Sequence, residues 1–155
     1  MSRIQETIEL NVPVTTAYNQ WTQFEDFPYF MEGVESVKQL DDTRLYWVAE
    51  IGGTRREWEA KIVDQTADSH IAWESPPEDP SGEVRFEPTG ADRCRLTLYM
   101  EYEPQSAKEK AGDLMGTIKR RIHGDLDRFK QYIESRGAET GAWRGDVVGG
   151  TVRSR

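Results

Sequence analysis

The side chains that ordinarily do chemistry are scarce in this chain. It holds two histidines, His70 and His123, and one cysteine, Cys94. Zinc sites need several thiolates or imidazoles at short, fixed spacing, and neither a cysteine cluster nor a His-Glu-x-x-His motif is present. A nucleophile elbow, a Gly-x-Gly-x-x-Gly turn and a Walker loop are also absent. No metal or cofactor is expected, and a lone cysteine excludes an intramolecular disulfide. The aromatic residues are more informative. Trp47, Trp58, Trp73, Phe86 and Tyr102 all fall in the apolar phase of alternating segments. Each such side chain buries about 150–250 Å², and an indole N–H or phenol O–H usually needs a partner when buried. They can form a plain aromatic core, or the flat apolar walls of a ligand pocket with a few polar handles.

Among the charged residues, Arg56 shares the phase of Trp58, Ala60 and Ile62. Extrapolated alternation points it inward, where a guanidinium needs an anion or several acceptors. It can reach solvent beside Gly52-Gly53, which reads as a hairpin turn, or it can orient a carbonyl or enolate oxygen. Asp125, near the apolar arc of the C-terminal helix, is a weaker case of the same kind and reads first as a partner for Arg121 or Arg128. Lys119, Arg120, Arg121, Arg128 and Lys130 read first as a solvated helix face, and second as a contact for RNA or a membrane surface.

The elements that position these residues follow from periodicity. Arg3 to Val12 alternates as a strand with Ile4, Ile8, Leu10 and Val12 on one face. Pro13 ends it, and Thr15 or Thr16 is placed to cap a short helix carrying Ala17, Tyr18, Trp21 and Phe24. Pro28 interrupts any continuing helix, and Phe27, Tyr29, Phe30 and Met31 around it form either a pocket cap or a satellite core. Six further strands are expected. The first covers about Val34 to Leu40, and the inward residues of the other five are, in turn, Leu45/Trp47/Ala49/Ile51, Trp58/Ala60/Ile62, Ile71/Trp73, Val84/Phe86 and Cys94/Leu96/Leu98/Met100/Tyr102. The alternation describes an antiparallel sheet with one wet face. His70 falls in the solvent phase.

After Pro104 the period becomes helical. Ala107, Ala111, Leu114, Met115, Ile118, Ile122, Leu126, Phe129 and Ile133 share one arc from about Ser106 to Arg136, with His123 at its edge and Gly137 as the stop. Met115, Ile118 and Ile122 then oppose the aromatic strand faces. Gly112, Gly116 and Gly124 serve either close packing against the sheet or room for a ligand. A one-faced sheet needs a cover, and only this helix is long enough. The expected fold is therefore α+β, a helix-grip in which a curved antiparallel sheet of about seven strands wraps a long C-terminal helix. Residues 1–136 would form the domain, and 137–155 a Gly-rich tail.

Charge narrows the partners. Residues 1–104 carry 21 acidic and nine basic side chains, net −12, whereas residues 105–155 carry seven acidic and eleven basic, net +4. An acidic body repels phosphate, so DNA binding is not expected. No apolar stretch approaches the roughly 20 residues that span a bilayer, and the N-terminus shows no secretory signal. A cytoplasmic location is expected.

Several stretches resemble one family: VPVTTAYNQWTQFEDFPYFMEGVESV at 12–37, WVAEIGGTRREWEAKI at 47–62, IAWES at 71–75 and DLDRFKQYIESRGAETGAWRG at 125–145. They are similar to the polyketide cyclase/dehydrase and coenzyme-Q-binding branch of the START-like, birch-pollen-allergen-like superfamily (SRPBCC), and WRG at 143–145 is like the tail signature of bacterial members. The resemblance implies a helix-grip domain with a hydrophobic cavity. Relatives include aromatase/cyclases, ubiquinone-binding lipid chaperones and a ribosome-associated growth inhibitor. In cyclases an inward arginine with aromatic neighbours orients substrate oxygens, and Arg56, Trp58 and Tyr102 are the positional counterparts here. The chain departs from its relatives after IAWES, where PPEDPSG replaces a glycine-containing turn.

Three functions follow. The first is binding of a hydrophobic small molecule (a quinone, lipid or polyketide-like compound) by Trp47, Arg56, Trp58, Trp73, Phe86, Tyr102, Met115, Ile118 and Ile122. The second is a cofactor-independent aromatase/cyclase in which Arg56 stabilises an enolate. The third is an RNA or ribosome module acting through the basic helix.

Overall fold

The computed structural model describes residues 2–51, 53–76, 80–102 and 112–153; the side chains of 2, 51, 102, 112–115 and 153 lie outside that description. Gly52, residues 77–79 of the Pro-rich loop, Ala107, Ala111 and the side chains of Leu114, Met115 and Tyr102 are therefore outside the described residues.

The chain runs β1 (Ser2–Leu10), α1 (Val14–Trp21), a 3-10 segment (Phe24–Tyr29), β2 (Val34–Gln39), β3 (Arg44–Ile51), β4 (Thr54–Thr66), β5 (His70–Glu74), β6 (Ser81–Gly90), β7 (Arg93–Tyr102), α2 (Gly112–Arg136), β8 (Asp146–Val148) and β9 (Thr151–Arg153). The main sheet has the order β1-β7-β6-β5-β4-β3-β2, with β1 and β7 antiparallel in the register Glu9↔Arg95. Alternation decides which face is covered. Cys94, Leu96 and Leu98 of β7 are buried, while Arg93, Arg95 and Tyr99 between them are exposed. Outward charges pair across strands, as where Arg95 Nε donates to Glu9 at 2.6 Å; such exposed pairs contribute at most about 1 kcal/mol each.

The inward face closes on α2. Its 25 residues span about 37 Å at 1.5 Å per residue. Leu126, Phe129 and Ile133 are at most 2% exposed. Gly137 ends the helix with φ +71, its N–H donating to the Ile133 carbonyl at 3.0 Å. A positive φ costs glycine nothing, which is why the stop falls there. Among the described residues, no helix is long and apolar enough to cross a membrane.

Four details differ from the sequence expectation. Neither Thr15 nor Thr16 caps α1; Pro13 holds the N-cap position without a side-chain bond, and the Thr15 hydroxyl donates to Asp68 at 3.0 Å instead. Pro28 lies inside the 3-10 segment, which is separate from α1 and so is not an interruption of it. His70 is half-buried, with Nε2 2.8 Å from Asp64 Oδ2 and Nδ1 2.9 Å from Ser69 Oγ. Those two polar neighbours make burial tolerable in a position the alternation gives to solvent.

The largest difference concerns the segment after α2. β4 is 13 residues long and outruns β3, whose pairing ends at Arg44↔Lys61. An unpaired strand edge is a liability. Here β8 covers it, with Asp64↔Val148 and Gln65↔Val147, and β9 pairs onto β8. Among the described residues the sheet therefore has nine strands. A bulge between Ile62 and Asp64 resets the phase of β4 and turns Gln65 inward, where its Nε2 donates to Tyr18 Oη at 2.8 Å. The same segment docks on α1: Trp143 N–H donates to Thr22 Oγ1 at 3.1 Å, and Arg144 binds Asn19 at 2.6 Å and Asp68 at 2.9 Å.

Candidate functional site

Aromatic residues fill one end of the space between sheet and α2. Tyr18 and Phe86 meet edge to face with centroids 5.6 Å apart, and Trp21 meets Phe129 at 5.2 Å. At the other end a cavity of about 150 Å³ remains, lined on the sheet side by Trp47, Trp58, Trp73, Leu98 and Met100. From α2, Thr117, Ile118, Arg121, Ile122, Asp125 and Leu126 face it, with Phe27 and Met31 beside the 3-10 segment. Trp47 and Trp58 are cross-strand partners and stack with an interplanar angle of 3° and centroids 6.0 Å apart, giving the wall a flat apolar slab. Trp58 Nε1–H donates to Ser75 Oγ at 3.1 Å. Of the lining residues, Glu50 and Thr117 are exposed, so the cavity reaches the surface beside them.

Two glycines shape this wall. A Cβ on Gly82 would lie 2.6 Å from the Tyr99 carbonyl oxygen and 2.9 Å from the Trp73 ring, so the bare backbone lets Trp73 lie against β6. A Cβ on Gly33 would lie 2.7 Å from Arg121 Nη1, and the space it leaves lets Arg121 donate to the Glu50 carbonyl at 3.0 Å. Gly116 is different: a Cβ there would meet only the Arg120 side chain, at 3.7 Å, so close packing on the sheet does not explain it.

The wall also carries a carboxyl. Asp125 Oδ1 accepts the Glu32 N–H at 3.0 Å and pairs with Arg128. Burial is the largest influence on it and pushes its pKa above the ordinary carboxylate value, against those bonds. The Cys94 thiol, buried in the β7 face, is pushed up to about 11 by burial and, less, by Glu9, which makes it a poor nucleophile.

Of the residues singled out in the sequence, Trp47, Trp58, Trp73, Ile118 and Ile122 come together around this cavity. Phe86 does not; it is buried in the filled end, against Tyr18 and Trp21. Arg56, opposite Ala49 in the ladder, is half-buried but is not among the lining residues. It sits three positions from Gly53, near the start of β4. The Pro28 region serves both expected purposes: Phe27 and Met31 line the cavity, Phe30 is 1% exposed and Tyr29 73% exposed.

The basic cluster is largely engaged by the chain's own acceptors. Arg121 binds Glu50, Arg128 Nε donates to the Phe30 carbonyl at 2.9 Å, and Lys130 Nζ donates to the Glu9 carbonyl at 2.9 Å and to Glu134 at 2.7 Å. Lys119 and Arg120 are exposed. Arg121 lines the cavity although a reading of charge alone assigns it to a surface face, and Asp125, near the apolar arc in the sequence, lines it as well. Their spacing was the available signal, because 118, 121, 122 and 125 step by threes and fours along one helical face.

The profile of the family described as polyketide cyclase/dehydrase and lipid transport matches residues 10–130. The chain belongs to this family. Within it, a 17.2 kDa Streptomyces lincolnensis protein, encoded in the melC2–rnhH intergenic region, is 47% identical over 150 residues, 96% of this chain and 100% of that protein. Among solved structures, the Zhui aromatase/cyclase from Streptomyces sp. R1128 has a TM-score of 0.74 at 16% identity, over 92% of this chain and 99% of that one. A START superfamily protein from Mycobacterium smegmatis has a TM-score of 0.69 at 15% identity, over 86% and 95%. At such identities these two structures show a shared fold, the helix-grip, and nothing of substrate.

Proposed function

We propose that this polyketide cyclase/dehydrase-family chain binds a flat hydrophobic small molecule in the cavity between sheet and α2. The observation that carries the reading is the cavity itself, an apolar space of about 150 Å³ walled by four tryptophans, Trp21, Trp47, Trp58 and Trp73. Apolar cavities of this size admit a single aromatic ring, and the opening beside Glu50 and Thr117 lets a longer molecule extend outward. A cytoplasmic location belongs to the same reading. Native mass spectrometry of the protein, purified gently and then denatured, tests it. A stoichiometric hydrophobic molecule is expected with the native chain and is expected to be lost from an Ile118→Trp variant, whose added ring occupies the cavity. Equal retention by a folded Ile118→Trp protein contradicts the assignment of the site.

A second reading, ring closure of a bound polyketone, is favoured by one observation: Asp125 stands in the wall with its pKa raised by burial, the direction of shift that suits a carboxyl to general acid–base catalysis. Turnover of an added polyketone that disappears in Asp125→Asn, with binding retained, supports it. Turnover unchanged in that variant removes Asp125 from the chemistry. The Arg56 route has weaker support, since Arg56 is not among the lining residues.

A further inference from the structure

We propose that Ser69, His70 and Asp64 form a second site, at which Ser69 accepts the acyl group of a small activated carboxylic ester. None of the three is among the cavity's lining residues, so this site and the cavity reading fail independently. The nucleophile, its base and the group that orients the base are bonded in series. Ser69 Oγ lies 2.9 Å from His70 Nδ1, and His70 Nε2 lies 2.8 Å from Asp64 Oδ2. An ionised carboxylate only accepts, so in the neutral imidazole Nε2 carries the hydrogen and Nδ1 presents its lone pair. Ser69 then donates to Nδ1, the bond a general base needs before it can take the proton. The ring nitrogens exchange the places they hold in the serine protease triad, but roles rather than positions define such a constellation.

Three features of the fold assemble the series. Uninterrupted alternation from Trp58, Ala60 and Ile62 would send Asp64 to the core, and the bulge between Ile62 and Asp64 turns it outward instead. Bulges commonly re-aim a side chain in this way. The register then sets Asp64 opposite Ala72 and Thr66 opposite His70, so Asp64 and His70 are diagonal neighbours on one face, within reach of each other. That face is the wet one, since His70 also opposes the exposed Arg85, yet the His70 side chain is only 15% exposed. Ser69 sits in the turn between β4 and β5, its N–H donating to the Thr66 carbonyl at 3.0 Å. The turn is pinned from outside. Arg144 holds both oxygens of Asp68, at 3.0 and 2.9 Å, and the Thr15 hydroxyl donates to the same carboxyl at 3.0 Å. A turn fixed in this way keeps hydroxyl and imidazole in bonding geometry before any substrate arrives.

In the acylation step Ser69 Oγ bonds to the acyl carbon and the bond from that carbon to the leaving oxygen breaks. The Oγ proton passes through His70 Nδ1 to the departing phenol or alcohol. Water then repeats the exchange, releasing the carboxylic acid and restoring the hydroxyl. The probe is p-nitrophenyl acetate. The native chain is expected to release p-nitrophenol about a hundredfold faster than Ser69→Ala or His70→Gln, the scale of general-base assistance. Acid-quenched native protein is expected to carry the acetyl group on Ser69, and matching circular dichroism shows that the variants keep the fold. Asp64 acts through His70 as a positioning residue, so its readout is the imidazole. The ¹⁵N shifts of His70 are expected to report the Nε2–H form in the native chain and the Nδ1–H form in Asp64→Asn, whose amide can donate to Nε2. Equal release by the native and Ser69→Ala proteins, or acetyl found only on other residues, overturns the site and leaves the cavity reading untouched. An imidazole form unchanged in Asp64→Asn overturns the role of Asp64.

Discussion

The two ends of the grip use the same residue types to opposite effect. At the filled end, α1 pushes Tyr18 and Trp21 between sheet and helix, where they meet Phe86 and Phe129 edge to face; Trp21, with Phe27 of the 3-10 segment, also forms the boundary with the cavity. At the hollow end the sheet's own aromatics, Trp47 and Trp58, stack on each other, and the facing turns of α2 offer Thr117, Ile118, Arg121 and Ile122. Rings that stack on one wall do not interdigitate with the opposite one, and space remains. Close packing and open space are thereby separated along one helix, and the filled end is expected to carry more of the stability.

The largest effect expected from this division is on stability. Phe129→Ala, at a position 0% exposed, is expected to cost about 3–5 kcal/mol. Ile118→Ala, at a half-buried lining position, is expected to cost less than about 1 kcal/mol, because little packing is lost. Urea denaturation of the two variants checks this, and equal costs would erase the distinction. Gly82→Ala comes next. Its methyl would collide with backbone at Tyr99 and with Trp73, so a loss of about 1–3 kcal/mol is expected, together with Trp73 displaced toward the cavity and weaker ligand binding. Unchanged Trp fluorescence and unchanged binding would show that Gly82 does not set the wall.

The smallest effect is one of pH. Burial raises the pKa of Asp125 in the folded chain, so the native state holds that proton more tightly than the unfolded state does. Stability contributed at this site therefore falls as pH rises from the ordinary carboxylate range through the raised value. Asp125→Asn keeps an Oδ1 acceptor for Glu32 and Arg128 and is expected to remove that decline. Denaturation midpoints of the two proteins between about pH 4 and 7 check the sign. A decline that is identical in both proteins would place the titrating group elsewhere.

Period-2 and period-3.6 patterns made the strands, α2 and the inward phase legible, because a half-wet sheet and a one-faced helix each write burial into the sequence. Trp47, Trp58, Trp73, Ile118 and Ile122 could be read as lining residues on that basis. Phe86 could not be separated from them: its strand phase is right, but α1 packs over it, and no local pattern records which part of the sheet a distant helix covers. The pairing of β8 with β4 was hidden for a related reason. Val147 is buried by a strand edge that exists only because β4 outruns β3. Among the described residues, the buried indole N–H groups of Trp21 and Trp47 have no hydrogen-bond partner, a property of three-dimensional partnering to which residue spacing is blind.

The most direct test of the central claim is a methyl NMR titration with 1-tetralone on protein labelled at the isoleucine δ positions. Ile4, Ile118 and Ile122 line the cavity, whereas Ile71 and Ile133 are 0% exposed and outside its lining. The account predicts saturable shifts at the first three methyls with the last two unmoved. Shifts concentrated at Ile71 and Ile133, or no saturable shift at any of the five, would contradict it.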